Sequence, residues 1–230
     1  MIDIGIIGAM DIEVSTLSSM LEDKKTESFC GVKFDTGIIF DKKIAIAKCG
    51  IGKVFAAIAA TAMILKYSPR LIVNTGVGGA LSKGLNPTDI VIAERLVQHD
   101  MDTSPLGDPK GLVSGINKIY FDADKRANEI LISAAKRLGL NASIGTVASG
   151  DRFIAEKADK CRIVDDFSAD VCEMEGAAIA QVAYVNDTAF AVARAISDSA
   201  DESSGMDYMT FLPIAAENSA KLTLELIKEY

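Results

Sequence analysis

The chain has 230 residues, 49% of them hydrophobic, and a formal net charge of −8. A chain of this length buries roughly 70–75% of the surface it exposes when unfolded, so it needs neither disulfides nor metal to fold, and its apolar content excludes disorder. The acidic balance argues against a nucleic-acid surface, since the basic residues gather no further than pairs such as Lys24-Lys25 and Lys42-Lys43; no apolar stretch reaches the length of a membrane span. The four cysteines, Cys30, Cys49, Cys161 and Cys172, form no C-x-x-C pair, and His99 is the single histidine. A metal site is therefore not expected. Cys49 and Cys172 sit in apolar runs and read as buried reduced thiols. The first residues lack a basic segment and read as a strand rather than a signal peptide, so a cytoplasmic location is expected.

In chain order, Ile2–Ile7 reads as a buried strand that turns at Gly8-Ala9-Met10 into a helix over Asp11–Met20. Asp11 and Glu13 fall in its first turn, where the helix dipole favours anions. Val32–Ile39 and Lys43–Lys48 form an expected hairpin. Gly50-Ile51-Gly52 leads into an alanine-rich helix, Lys53–Lys66, which Ser68-Pro69 stops. A short strand, Leu71–Asn74, enters Thr75-Gly76-Val77-Gly78-Gly79-Ala80, and Asp89–Leu96 is a further strand. His99 to Asn117 reads as a long polar loop, of the kind that is functional or mobile. Asp124–Leu138 has helical spacing, Ala142–Ser149 is a strand ending in Gly150-Asp151-Arg152-Phe153-Ile154, and Val171–Met174 feeds a helix over Gly176–Tyr184. Ala189–Ile196 is a strand and Met209–Glu229 a C-terminal helix. The alternation predicts one α/β domain over residues 1–230 with a sheet that the early hairpin makes mixed.

Charge collects at the ends of these strands. Val192-Ala193-Arg194-Ala195-Ile196-Ser197-Asp198 begins apolar and delivers Arg, Ser and Asp at its C-terminal end, where open α/β sheets hold their ligands. Glu13 and Glu175 occupy similar strand-to-helix positions. Each has a plain structural reading: Glu13 as a helix-terminus anion, Ser197 and Asp198 as turn caps, Glu173 and Glu175 as neighbours that share a face only if their segment is extended. Three such acids together point to chemistry. Gly76-Val77-Gly78-Gly79 fits neither G-x-G-x-x-G nor a P-loop; it reads as a tight turn needing φ > 0 or, preferably, as backbone against which a ligand lies. Phe153 closes a core or covers a planar ligand. His99 reads as a structural or surface residue, and Asp201-Glu202-Ser203-Ser204-Gly205 as a solvated loop or a lid.

Taken together, these residues are recognisable. Gly5-Ile6-Ile7-Gly8-Ala9-Met10 with Glu13, Gly50-Ile51-Gly52-Lys53-Val54, Asn74-Thr75-Gly76 with Gly78-Gly79, Ser149-Gly150-Asp151 with Phe153-Ile154, Glu173-Met174-Glu175 and the Arg194-to-Asp198 stretch resemble the 5′-methylthioadenosine/S-adenosylhomocysteine nucleosidases of the nucleoside phosphorylase-like superfamily, nearly end to end. The resemblance implies a three-layer α/β/α sandwich around a mixed central sheet. It also implies a homodimer with shared active sites, no cofactor, and hydrolysis of the N-glycosidic bond of a 5′-substituted adenine nucleoside.

By the same resemblance, Asp198 protonates adenine N7 and Ser197 positions it, Glu13 holds and activates water with Arg194 nearby, and Glu175 binds ribose hydroxyls above Met174. Phe153 stacks on adenine and the Ile154 backbone reads its edge, Val77 and Gly78 lie beside the sugar and water, and Met10, Ile51 and Tyr208 line the 5′ pocket. A partner subunit lends Thr103 and Leu106 to that pocket. Val77 stands where relatives carry a small hydroxyl residue, and Tyr208 where Phe is common. A protonated acid beside N7 lets adenine leave neutral, help worth ~10²–10⁴ in rate, while carboxylates stabilise an oxocarbenium-like sugar. A phosphorolytic purine nucleoside phosphorylase and a non-catalytic nucleoside binder are the alternatives.

Overall fold

The computed structural model describes residues 2–230. Its elements are β1 (Ile4–Gly8), α1 (Asp11–Ser19), β2 (Glu22–Phe29), β3 (Val32–Ile39), β4 (Lys42–Lys48), α2 (Lys53–Tyr67), β5 (Leu71–Ala80), β6 (Ile90–Gln98), a 3₁₀ turn at Ser104–Leu106, β7 (Tyr120–Asp122), α3 (Lys125–Arg137), β8 (Ala142–Ser149), α4 (Lys157–Phe167), β9 (Val171–Glu173), α5 (Gly176–Val185), β10 (Ala189–Asp198) and α6 (Ser204–Glu229).

The sheet is mixed. β5 pairs in parallel with β1 on one side and with β10 on the other. β10 continues antiparallel to β6, β6 runs parallel to β8, β8 parallel to β9, and β9 returns antiparallel to β5. Those five strands close on themselves, a feature no local pattern announces. β1, β4, β3 and β2 extend from β5 as an open wing. Helices cover both faces. Ala56, Ala59, Ala60 and Met63 of α2 join Ala177–Ala183 of α5 over one face; Val14 and Leu17 of α1, Leu131 of α3 and Leu222, Leu226 and Ile227 of α6 pack on the other. All five residues of β1 are buried, the continuous apolar run of a strand covered on both sides.

Several expectations are corrected. The glycine segment after Asn74 is no turn: β5 runs straight through it to Ala80, and none of Gly76, Gly78 or Gly79 has a positive φ. β2 and α4 lie in stretches to which the sequence assigns no element. α6 begins at Ser204, five residues before the expected start, so the acidic segment after Ala200 is a helix entry. His99 is buried, which agrees with the structural one of its two readings. The cysteines are all unpaired, with Cys49 and Cys172 buried.

Candidate active site

The C-terminal ends of β1, β5, β8, β9 and β10 open onto one cleft. Its walls include Met10, Glu13, Ile51, Val77, Gly78, Phe153, Ile154, Met174, Glu175, Ser197, Asp198 and Tyr208. Residues more than a hundred positions apart in sequence thus meet because β1, β5 and β10 run parallel and end on the same side, while β9, antiparallel to β5, meets its end at Gly79 and Ala80.

Glu13 is both a helix cap and more than one. Its Oε2 accepts the N–H groups of Ala9 (2.7 Å) and Met10 (2.9 Å), which closes the first turn of α1. Its Oε1 reaches across to the Val77 N–H of β5 at 3.2 Å. Burial pushes its carboxyl above the ordinary range, with the Arg194 charge and those three N–H groups opposing the shift. The glycines of β5 make the room: a Cβ on Gly76 would lie 2.5 Å from Glu13 Oε1, and one on Gly79 would lie 2.8 Å from Asp198 Oδ1. Close approach to two carboxylates, rather than a turn or a phosphate cradle, is what these positions require.

Asp198 sits where the register of β10 against β5 shifts after Ile196; such irregularities re-aim side chains. Oδ2 accepts the Ser197 hydroxyl at 2.8 Å and Oδ1 the Ala200 N–H at 2.9 Å. Burial raises the acid's pKa, and the hydrogen bonds from Ser197 and Ala200 only partly offset it. Lys160 of α4 donates to the carbonyls of Ala80 (2.8 Å) and Ser199 (2.6 Å), tying the ends of β5 and β10 together beside this acid.

Glu173 and Glu175 diverge. Glu175 stands at the N-cap of α5, and its Oε1 accepts the Gly52 N–H at 2.8 Å. Burial and the neighbouring Glu173 charge push its carboxyl up to about 7, against the pull of Arg194. Glu173 turns inward. It accepts the Gly176 N–H at 2.8 Å and hydrogen bonds from Ser149 and Arg194. Burial alone would raise it, but the Arg194 guanidinium and the Ser149 hydroxyl hold it below the ordinary range. The adjacent acids are thereby given opposite protonation tendencies.

Arg194 lies beneath the cleft rather than in it. It is 1% exposed and bonds Glu173, the Asn74 side chain and the Asn74 carbonyl. Glu173 is the carboxylate it pairs with among the described residues, so its place is against Glu173 and not against Glu13. An Arg194→Leu substitution leaves Glu173 buried without its cation, a loss of about 3–5 kcal/mol. Calorimetry is expected to show the thermal midpoint falling by about 10 °C; a midpoint within about 2 °C of the native one would show that the pair contributes nothing.

Phe153, half exposed at the rim, meets Tyr208 edge to face at 5.7 Å between centroids. Thr103 hydrogen-bonds Asp108 at 2.8 Å and Leu106 is 84% exposed; neither lines this cleft. Glu173, Cys172 and Arg152 line it without having been singled out for a role. The alternation in Cys172-Glu173-Met174-Glu175 was the available signal for Glu173. No cluster of three or more His, Cys, Asp or Glu among the described residues is placed to hold a metal ion.

Residues 3–228 match the family profile described as the phosphorylase superfamily. The chain is 37% identical over 227 residues to a 5′-methylthioadenosine/S-adenosylhomocysteine nucleosidase of Oceanobacillus iheyensis, covering 98% of this chain and 99% of that protein. A Staphylococcus aureus nucleosidase of the same name is also 37% identical, with 98% and 99% covered. Among solved structures, the Neisseria meningitidis nucleosidase in complex with methylthio-immucillin-A superposes with a TM-score of 0.96 at 35% identity over 100% of both chains. A futalosine hydrolase of Helicobacter pylori superposes with a TM-score of 0.95 at 34% identity over 99% of this chain and 98% of that one. With the profile match, the identity over near-complete coverage and the superposition in agreement, the chain belongs to the phosphorylase superfamily, among its 5′-methylthioadenosine/S-adenosylhomocysteine nucleosidases.

Proposed function

We propose that the protein hydrolyses the N-glycosidic bond of 5′-methylthioadenosine and S-adenosylhomocysteine, and of 5′-deoxyadenosine, releasing adenine and the 5-substituted ribose. The observation that carries this reading is the pairing, in one cleft, of a buried acid with a raised pKa, Asp198, and a carboxylate held by three backbone N–H groups, Glu13. Asp198 gives its proton to N7, so adenine departs neutral. As the bond lengthens the sugar gains positive charge, which the ionised Glu175 stabilises while it holds the ribose hydroxyls. Glu13 orients the attacking water and takes its proton. Arg194 acts through Glu173, keeping that carboxylate ionised and the α5 N-terminus in place.

Water rather than phosphate is the nucleophile in this reading. The cleft is lined by four carboxylates, and its one basic residue, Arg152, is spent on Asp159 at 2.8 Å. A phosphate dianion finds repulsion and no free cation there. Incubation with 5′-methylthioadenosine is expected to release adenine and free methylthioribose at a rate that added phosphate does not raise. A phosphate-dependent sugar 1-phosphate would instead make the protein a phosphorylase, and nucleoside binding without adenine release would make it a binding protein.

The reading includes one domain over residues 1–230 and a homodimer in which a partner lends Thr103 and Leu106 to the 5′ pocket. It is supported by the exposure of Leu106 at 84% and of Val54, Phe55 and Ile58, within one turn or so of α2, at 70%, 57% and 41%; apolar surface gathered this way marks a contact face. A cytoplasmic setting accords with four unpaired cysteines. Among the described residues no helix is long and apolar enough to cross a membrane.

A further inference from the structure

Three side chains lining the cleft carry a strong hydrogen-bond donor: Arg152, Ser197 and Tyr208. Two are committed to carboxylates, Arg152 to Asp159 and Ser197 to Asp198, both at 2.8 Å. The third rests on a weak acceptor. The Tyr208 hydroxyl donates to the Met10 thioether, Sδ, at 3.2 Å, and thioether sulfur is among the poorest acceptors a protein offers. Met10 and Ile51 add apolar wall to the same cleft. Phe153 holds the ring edge-on, with 82° between the ring planes, so the hydroxyl keeps its direction when its partner changes.

We propose that Tyr208 is a specificity-determining residue whose hydroxyl leaves Met10 for a neutral oxygen on the 5′ position of the nucleoside, extending the enzyme's range from 5′-alkyl and 5′-thioether nucleosides to 5′-hydroxy ones such as adenosine. The inference rests on the nucleosidase reading above. Exchanging a sulfur acceptor for an oxygen one costs the protein little and gains a full hydrogen bond, whereas a 5′-methyl group leaves the hydroxyl on Met10 and gains nothing. The acceptor must be neutral, because the carboxylates of Glu13 and Glu175 share the cleft and repel an anion. Burial and those same negative charges raise the Tyr208 phenol, so it remains a donor at neutral pH.

The test compares adenosine with 5′-deoxyadenosine, which differ by one hydroxyl, in the native protein and two variants, with 5′-methylthioadenosine as the reference substrate. Tyr208→Phe is expected to lower the ratio of kcat/KM for adenosine over 5′-deoxyadenosine by about fivefold to tenfold, the worth of one hydrogen bond. Met10→Leu removes the competing acceptor and is expected to raise the same ratio by about twofold or more. A ratio unchanged within about twofold in Tyr208→Phe, or equal losses on both substrates, overturns the assignment. Native protein that cleaves 5′-methylthioadenosine but not adenosine overturns it too and leaves the nucleosidase reading standing; no adenine from any of the three overturns both.

Discussion

Asp198→Asn is expected to lower kcat on 5′-methylthioadenosine by about 10²–10⁴, the usual worth of a general acid, while the Kd for adenine changes less than about tenfold. The substitution preserves shape and removes the proton. The Asn side-chain oxygen still accepts the Ala200 N–H now held at 2.9 Å. Ser197, which now donates to Asp198 Oδ2, has a second acceptor in the Gly78 carbonyl at 3.3 Å; its hydroxyl turns there and accepts from the new amide. Fold and cleft are thus retained, and what disappears is the ability to neutralise the departing purine. Adenine release followed by absorbance, with calorimetric titration of adenine, separates the two quantities. Turnover near the native rate would remove Asp198 from its assigned role.

Glu175→Gln is expected to cost about 10–100-fold in kcat/KM, the strength of a charge-assisted bond to a ribose hydroxyl, and yet to stabilise the protein above neutral pH. Burial and the Glu173 charge raise the Glu175 carboxyl from 4.5 to about 7. Between those values the folded state holds a proton that the unfolded chain releases. Stability is therefore fully present below the unfolded pKa, declines as pH rises through this window, and carries the whole penalty above it, on the order of 3 kcal/mol. A neutral Gln escapes that penalty and keeps an oxygen for the Gly52 N–H. The variant should melt about 5–10 °C above the native protein at pH 8 and level with it near pH 4. Equal midpoints at both pH values would show that Glu175 titrates normally. The same raised group gives the native kcat/KM an ascending limb through about pH 7 as Glu175 ionises.

Much of this site could be read from the chain. Glu13, Glu175 and Asp198 stood out because each follows an apolar strand; β1 and β10 run parallel to β5 and end together, whereas Glu175 joins them because β9 pairs antiparallel with the end of β5. Buried runs such as Ile4–Gly8 and Ala189–Ile196 announce themselves because burial on both faces demands unbroken apolar sequence. β2 does not, for Glu22–Phe29 is exposed along nearly its whole length and owes its extended form to pairing with β3. α4 offers only Ile163 and Phe167 as buried anchors, too few for a periodic signal. The glycines of β5 left a turn open beside the preferred reading as backbone facing a ligand, because a glycine that permits positive φ and one that admits a neighbouring side chain look the same in sequence.

The sequence by itself determined the alternating α/β class, the reduced thiols, and the acids and aromatic ring that would meet a nucleoside, because these follow from local periodicity, composition and resemblance to a family. Only the tertiary structure decided what each charge faces. It closed five strands into a ring, set Arg194 against Glu173 and not Glu13, sent Glu173 and Glu175 in opposite directions, and rested the Tyr208 hydroxyl on a sulfur. Those outcomes depend on burial and on partners up to 198 positions away in the chain, and the energy of a charge is governed by its surroundings in space, which no window of neighbouring residues contains.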